Sequence, residues 1–270
     1  MTTYAVASGK GGVGKTIFTL NAGAALAEMG LKTLIIDCDI AMADLAQVMD
    51  VDVDLKTEHS LHEVLNSKVN IEDVITHTSY GMDVILSSVS IAGFIEADME
   101  KLRGVIKDVA ERYDFILLDT ATGLSQESLI PVMVCDEVIM LVNPELPSII
   151  DGQKMRLIAE STGKSAKGVV INRVRGVRGE LGAKTVERLL ELAILGVIPE
   201  DKNMISAVTS KTPLVIKKPN SPAAKAIKEA VKAIAKEEGG REDGDKGANE
   251  NEDENENEKK GRRLFGRRKK

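Results

Sequence analysis

Within eight residues this 270-residue chain sets two lysines and a threonine among four glycines: Gly9-Lys10-Gly11-Gly12-Val13-Gly14-Lys15-Thr16. The spacing fits G-x-x-x-x-G-K-[ST], with Gly9, Gly14, Lys15 and Thr16 in register. Glycines let a backbone curl until the N–H groups of Gly11, Gly12, Val13 and Gly14 point at phosphate oxygens. A helix starting at Lys15 adds positive potential to the same spot. Lys15 is then placed to reach the β and γ phosphates, and the Thr16 hydroxyl to ligate Mg²⁺. The chemistry this arrangement supports is the binding of a nucleoside triphosphate with its magnesium ion.

Such a loop needs a strand before it and a helix after it. Short β-branched runs alternate with longer helical patterns along the chain, which predicts βαβ units and an α/β fold with a mainly parallel, twisted sheet and helices on both faces. Expected strands are Thr3–Ser8, Thr33–Asp37, Asp83–Leu86, Phe115–Asp119, Glu137–Val142, Gly168–Ile171 and Ile194–Val197. Several are continuously apolar, as strands buried on both faces should be. Expected helices include Lys15–Met29, stopped by Gly30, and Leu61–Leu65, opened by a Ser60/Glu63 capping box. Met99–Glu111 is read as a helix capped by Asp98, and Pro222–Lys236 as the last amphipathic helix.

Apolar residues make up 43% of the chain but aromatics only 3%, with no Trp, so the core must be aliphatic. The formal charge of −6 argues against a wholly basic nucleic-acid binder. Cys38 and Cys135 have no CxxC spacing and no histidine cluster, which disfavours a metal centre. The N-terminal residues are too short and uncharged for a signal peptide, and no apolar run approaches the ~18–20 residues that span a bilayer. The expected compartment is the cytoplasm.

Lys10 through Thr16 forms the deviant Walker A motif, and from Thr3 to Lys236 the chain resembles the MinD/ParA family of P-loop ATPases, most nearly its MinD members. The resemblance implies a P-loop NTPase fold, ATP and Mg²⁺ as cofactors, ATP hydrolysis, and a homodimer that sandwiches ATP. In that dimer Lys10 would cross to the partner's nucleotide, so Lys10, Lys15 and Asp39 are the catalytic candidates. Asp39 matches the first-switch aspartate that orients the attacking water, a sensible task because phosphoryl transfer depends on alignment and charge stabilisation. Asp119, ending the Walker B strand Phe115–Asp119, would hold Mg²⁺ through water. Gly123 falls in the second switch, where a backbone N–H senses the γ-phosphate. Asn172 resembles the adenine-recognising asparagine, whose amide both donates and accepts. Pro199 and Glu200 match the loop on the other side of the base. The structural alternatives are a buried Asp at each carboxylate and turn residues at Asn172 and Pro199. The chain departs from the family pattern at Ile17, Asp44 and Ala121-Thr122.

The C-terminus is strongly polarised in charge. Glu237–Glu258 holds 11 acidic and 2 basic residues, and Lys259–Lys270 holds 8 basic and no acidic ones. The division expected is an ATPase domain over 1–236, a disordered acidic linker over 237–258 and a basic amphipathic tail over 259–270. Arg262, Arg263, Leu264, Phe265, Arg267 and Arg268 resemble the MinD membrane-targeting segment. Partners implied are a second copy of the chain, an anionic membrane surface at the inner face of the cell membrane, and an activating or cargo protein. The leading expectation is a MinD-like ATPase that cycles on and off the membrane. A ParA-like ATPase that uses DNA as its matrix is the alternative, weakened by the acidic body. An iron–sulfur enzyme would need bridging cysteines that neither Cys38 nor Cys135 is partnered to supply.

Overall fold

The computed structural model describes residues 1–51, 59–88 and 90–242. The chain divides into two units, Met1–Val231 and Lys232–Lys270. The first holds every described strand: β1 (Thr2–Ala7), β2 (Thr33–Asp37), β3 (Thr76–His77), β4 (Asp83–Ile85), β5 (Phe115–Asp119), β6 (Glu137–Val142), β7 (Ser165–Val174) and β8 (Ile194–Pro199). The helices are α1 (Lys15–Glu28), α2 (Leu45–Val48), α3 (Leu61–Leu65), α4 (Ile91–Glu96), α5 (Leu102–Val109), α6 (Gln126–Val134), α7 (Leu146–Ser161), α8 (Ala183–Leu190), α9 (Asn203–Thr209), α10 (Leu214–Lys217) and α11 (Pro222–Glu242). In the second unit, described residues from Lys232 continue α11 to Glu242.

All eight strands form one sheet in the order β3-β4-β2-β5-β1-β6-β7-β8. Every pairing is parallel except β3 with β4 at the edge. Both faces of the central strands are covered. Ala5, Leu34, Ile36, Ile116 and Leu118 join one core with residues of α3, α5, α6, α7 and α8. The alternate residues Tyr4, Val6, Ile35 and Leu117 are equally buried. On that side Gly23 of α1 comes so close to Ile35 that an added Cβ would sit 2.7 Å from its Cδ1. The consecutive strands β5 and β6 lie on opposite sides of β1 in the sheet, so the carboxyl end of β1 is at the topological switch point where α/β proteins place ligands.

The aliphatic strands have the expected positions, and the differences lie where polar residues set the ends. Strand β7 runs from Ser165 to Val174, well beyond Gly168–Ile171, because it lies between two partners, β6 and β8, that pair its polar ends. The expected helix Met99–Glu111 is a 3-10 turn, a short α-helix and a second 3-10 turn, with Asp98 capping through the Glu100 N–H. The Ser60/Glu63 capping box does not form: Ser60 makes no side-chain cap bond, and Glu63 pairs with Lys68. Helix α11 runs past Lys236 to Glu242, through Gly239 and Gly240. The rest of the expected linker and the whole tail, Arg262, Arg263, Leu264, Phe265, Arg267 and Arg268 included, lie outside the described residues.

Candidate functional site

The glycine loop leaves β1 and enters α1 at the switch point. Gly14 is the N-cap of α1 with φ of 97°, a left-handed conformation that a side chain resists. Its crowding is as restrictive: a Cβ there would lie 2.7 Å from Asn172 Nδ2. That amide donates to the Val13 carbonyl at 2.8 Å, so β7 braces the loop from the side. Gly9 is pinned differently, since a Cβ would fall 2.0 Å from the Asp151 carbonyl oxygen of α7.

A cavity of about 310 Å³ opens over the loop. Gly12, Gly14, Lys15, Thr16 and Ile17 form its floor; Asp39, Asp44, Gln47 and Val48 form one wall; Thr122 and Arg173 complete it. Five expected site residues therefore meet in one place: Gly12, Gly14, Lys15, Thr16 and Asp39. Lys15 is buried, which lowers its pKa, while Asp119, Asp39 and Asp44 act to raise it. Asp39 is half-buried and burial raises its carboxyl pKa. Its Oδ1 accepts the Met42 N–H at 3.3 Å, and its own N–H donates to Asp37 Oδ1 at 3.2 Å.

Beneath the cavity lie two fully buried carboxylates, Asp37 and Asp119, which are register partners on β2 and β5. Burial pushes the Asp119 pKa up to about 7, against hydrogen bonds from the Thr16 and Thr19 hydroxyls and the charge of Lys15. Burial and then the Asp119 charge push Asp37 well above the usual carboxylate range. Asp37 Oδ2 and Asp119 Oδ2 have no hydrogen-bond partner. Buried oxygens of this kind need a cation or a proton. Together with the Thr16 hydroxyl, which already bonds Asp119, they supply a hard oxygen donor set that suits Mg²⁺ completed by phosphate and water. When bound, that ion neutralises charge on phosphate oxygens.

Other expected residues stand outside the cavity. Lys10 points away from it, to Glu145 at 3.6 Å at the start of α7. Gly11 and Val13 are in the loop but do not line the opening. Gly123, with φ of 84°, follows β5 and gives its carbonyl to the Ser128 hydroxyl; its neighbour Thr122 reaches the cavity instead. Asn172 contacts the loop itself. Pro199 ends β8 opposite Val174, and the Glu200 N–H donates to the Val174 carbonyl at 2.9 Å, so both sit beside the end of β7 that carries Asn172.

Asp37, Arg173 and Glu145 had no role in the sequence reading. Asp37 could have been found, because Thr33–Asp37 repeats the pattern of Phe115–Asp119, an apolar strand ending in Asp. Arg173 lines the cavity from a left-handed backbone, φ of 57°, an outlier for a non-glycine residue. Glu145 meets Lys10 and, at 3.8 Å, Arg175, a convergence that no spacing in the chain records.

Comparison with known proteins places the chain in one family. The CobQ/CobB/MinD/ParA nucleotide binding domain matches residues 4–214. An uncharacterized ATP-binding protein of Methanocaldococcus jannaschii is 40% identical over 225 residues, 83% of this chain and 84% of the relative. Among solved structures, the septum site-determining protein MinD of Pyrococcus horikoshii, complexed with Mg-ADP, superposes with a TM-score of 0.84 at 32% identity, covering 88% of this chain and 97% of that one. The MinC:MinD cell division protein complex of Aquifex aeolicus matches with a TM-score of 0.78 at 27% identity, covering 87% and 96%.

Proposed function

The chain belongs to the CobQ/CobB/MinD/ParA nucleotide-binding family and is an ATPase that uses Mg²⁺, and on that premise we propose that it works as a MinD-like spatial switch. ATP closes two copies around their nucleotides, the dimer holds to the membrane through its basic tails, and hydrolysis releases it. In this reading Lys15 and Thr16 hold phosphate and Mg²⁺, Asp119 holds Mg²⁺ through water, Asp39 orients the attacking water, and Lys10 reaches the partner's nucleotide. Gly123 senses the γ-phosphate, while Asn172, Pro199 and Glu200 border the base. The protein so positioned is an activating or cargo partner, as MinC is bound by MinD in the Aquifex aeolicus complex.

The observation that carries the reading is the placement of Lys10, a loop lysine turned out of its own cavity toward the exposed Glu145. A lysine so held is available to a second subunit. The tail adds the matrix. Leu264 and Phe265 would contribute about 3–6 kcal/mol if fully buried in lipid. Basic residues add roughly 1 kcal/mol each at an anionic surface, reduced by salt and chain ordering. One tail binds reversibly on those terms, and two on one dimer bind far more tightly through effective concentration.

Co-sedimentation with anionic liposomes tests the proposal, in ATP and in ADP, with the full chain and with a chain lacking Lys259–Lys270. Pelleting should require both ATP and the tail. Equal pelleting in all four conditions overturns it, and ATP-dependent, salt-sensitive retention on DNA in its place transfers the function to a DNA matrix.

A further inference from the structure

One buried histidine ties the segment that carries Asp39 to the body of the fold. His62, on α3, is fully buried. Its Nδ1 accepts the Ser88 N–H at 3.1 Å, and its Nε2 lies 3.1 Å from the Ile40 carbonyl oxygen. A ring nitrogen that accepts a backbone N–H carries no proton, so the ring is the neutral Nε2–H tautomer and donates to Ile40.

The support behind the ring is rigid. The Leu61 N–H donates to the Leu86 carbonyl at 2.8 Å, and the Ser87 hydroxyl donates to the Asp37 carbonyl at 2.7 Å. These bonds clamp α3, the residues after β4 and the end of β2 into one block. Asp39 and its neighbours hold mainly to one another: the Met42 and Ala43 N–H groups donate to the Asp39 carbonyl at 3.2 and 2.9 Å. The His62 bond joins this turn to the block beside the Asp39 N–H bond to Asp37 Oδ1, and it lies one residue past the carboxylate that lines the cavity.

We propose that His62 is a positioning residue for ATP hydrolysis, fixing the peptide beside Asp39 and through it the direction of the Asp39 carboxylate in the cavity. The inference rests on the reading of Asp39 as the group that orients the attacking water. Alignment of that kind is steep, since a misplacement of about 1 Å can cost on the order of 10²-fold in rate.

Two substitutions separate the ring's two bonds. His62→Asn leaves an acceptor near the Nδ1 position for Ser88 and removes the donor to Ile40; His62→Gln keeps a donor near the Nε2 position and gives up the acceptor. Single-turnover hydrolysis of Mg-ATP by the full chain should slow by about tenfold or more in His62→Asn at unchanged ADP affinity, and by no more than about threefold in His62→Gln. Equal rates in the two variants, or loss of ADP affinity in step with rate, overturns the proposal. Asp39→Ala is measured alongside. If it hydrolyses at the wild-type rate, the Asp39 reading falls and this inference with it. If it is slow while His62→Asn is normal, only the role of His62 falls. Should His62→Asn fail to fold, ¹⁵N spectra of the wild-type ring decide: the Nε2–H tautomer must persist with a non-hydrolysable ATP analogue and Mg²⁺ bound. A switch to Nδ1–H or to the doubly protonated ring breaks the Ile40 bond in the competent state and overturns the proposal.

Discussion

Asp37 and Asp119 face each other across adjacent parallel strands, fully buried, each with one carboxylate oxygen that has no hydrogen-bond partner. Lys15 is near enough to counter some of this charge, yet both carboxyls remain raised above their usual range. The pair is costly without a counter-charge, and its oxygen donors suit a divalent cation. Two predictions follow from that tension.

The first concerns pH. Asp119 has a folded pKa of about 7 against a reference value of 3.8, so the native state holds a proton that the unfolded chain has released over that window. Stability is therefore full below the unfolded value and is lost as pH rises through about 7. Mg-ADP replaces the proton, so its thermal stabilisation should be larger at pH 8 than at pH 5.5. Asp119→Asn removes the penalty and should raise the stability of the nucleotide-free protein at pH 8 by about 2–4 kcal/mol. Melting curves at the two pH values check both effects, and an unchanged pH slope in Asp119→Asn would refute the assignment.

The second isolates Asp37. Asp37→Asn keeps the shape of the side chain and its place on β2 but withdraws a charge from the cation. The Mg²⁺ concentration needed for half-maximal hydrolysis should rise by about tenfold to a hundredfold, with little change in affinity for metal-free ADP. Magnesium titrations at fixed ATP provide the measurement. A parallel fall in metal-free ADP affinity would mean that Asp37 shapes the loop instead.

Lys10 should behave in the opposite manner to a structural lysine. Its ion pair with Glu145 is exposed on both sides, and pairs of that kind contribute about 1 kcal/mol or less. Lys10→Ala should melt within about 3 °C of the wild type and still bind ADP. It should fail to form ATP-dependent dimers in analytical ultracentrifugation and should hydrolyse ATP at background rates. Normal ATP-dependent dimers in this variant would remove the trans role.

How far the sequence reaches can be judged from these same residues. Thr33–Asp37, Phe115–Asp119 and Glu137–Val142 have the bounds expected of them, because a strand buried on both faces is a run of aliphatic residues with a charge marking one end. The phosphate loop was legible for a similar reason: its chemistry needs consecutive residues. Strand β3 was not legible, since its residues Thr76 and His77 carry no pattern and owe their conformation to β4. Nor was the Ser60/Glu63 misreading avoidable from spacing alone, as Glu63 has Lys68 to pair with. Asn172 and Val13, or Lys10 and Glu145, are distant in sequence and meet only when β6 and β7 are laid beside β1. Contacts of that sort belong to the topology.

The loop glycines offer a final test, because two of them share a backbone class but differ in their surroundings. Gly12 and Gly14 both have positive φ, 73° and 97°. A Cβ on Gly12 meets nothing within 4 Å, whereas one on Gly14 meets Asn172 Nδ2 at 2.7 Å. Gly12→Ala therefore pays the left-handed strain alone, about 1–2 kcal/mol. Gly14→Ala pays that strain and displaces the amide that holds the Val13 carbonyl, so the N–H groups of the loop lose their brace. Affinity for a fluorescent ADP should fall by about tenfold in Gly12→Ala and by a further tenfold or more in Gly14→Ala. Combining Gly14→Ala with Asn172→Ala should recover part of that further loss, because the collision goes with the amide. No recovery in the double variant would show that backbone strain at Gly14, and not the contact with β7, sets the shape of the loop.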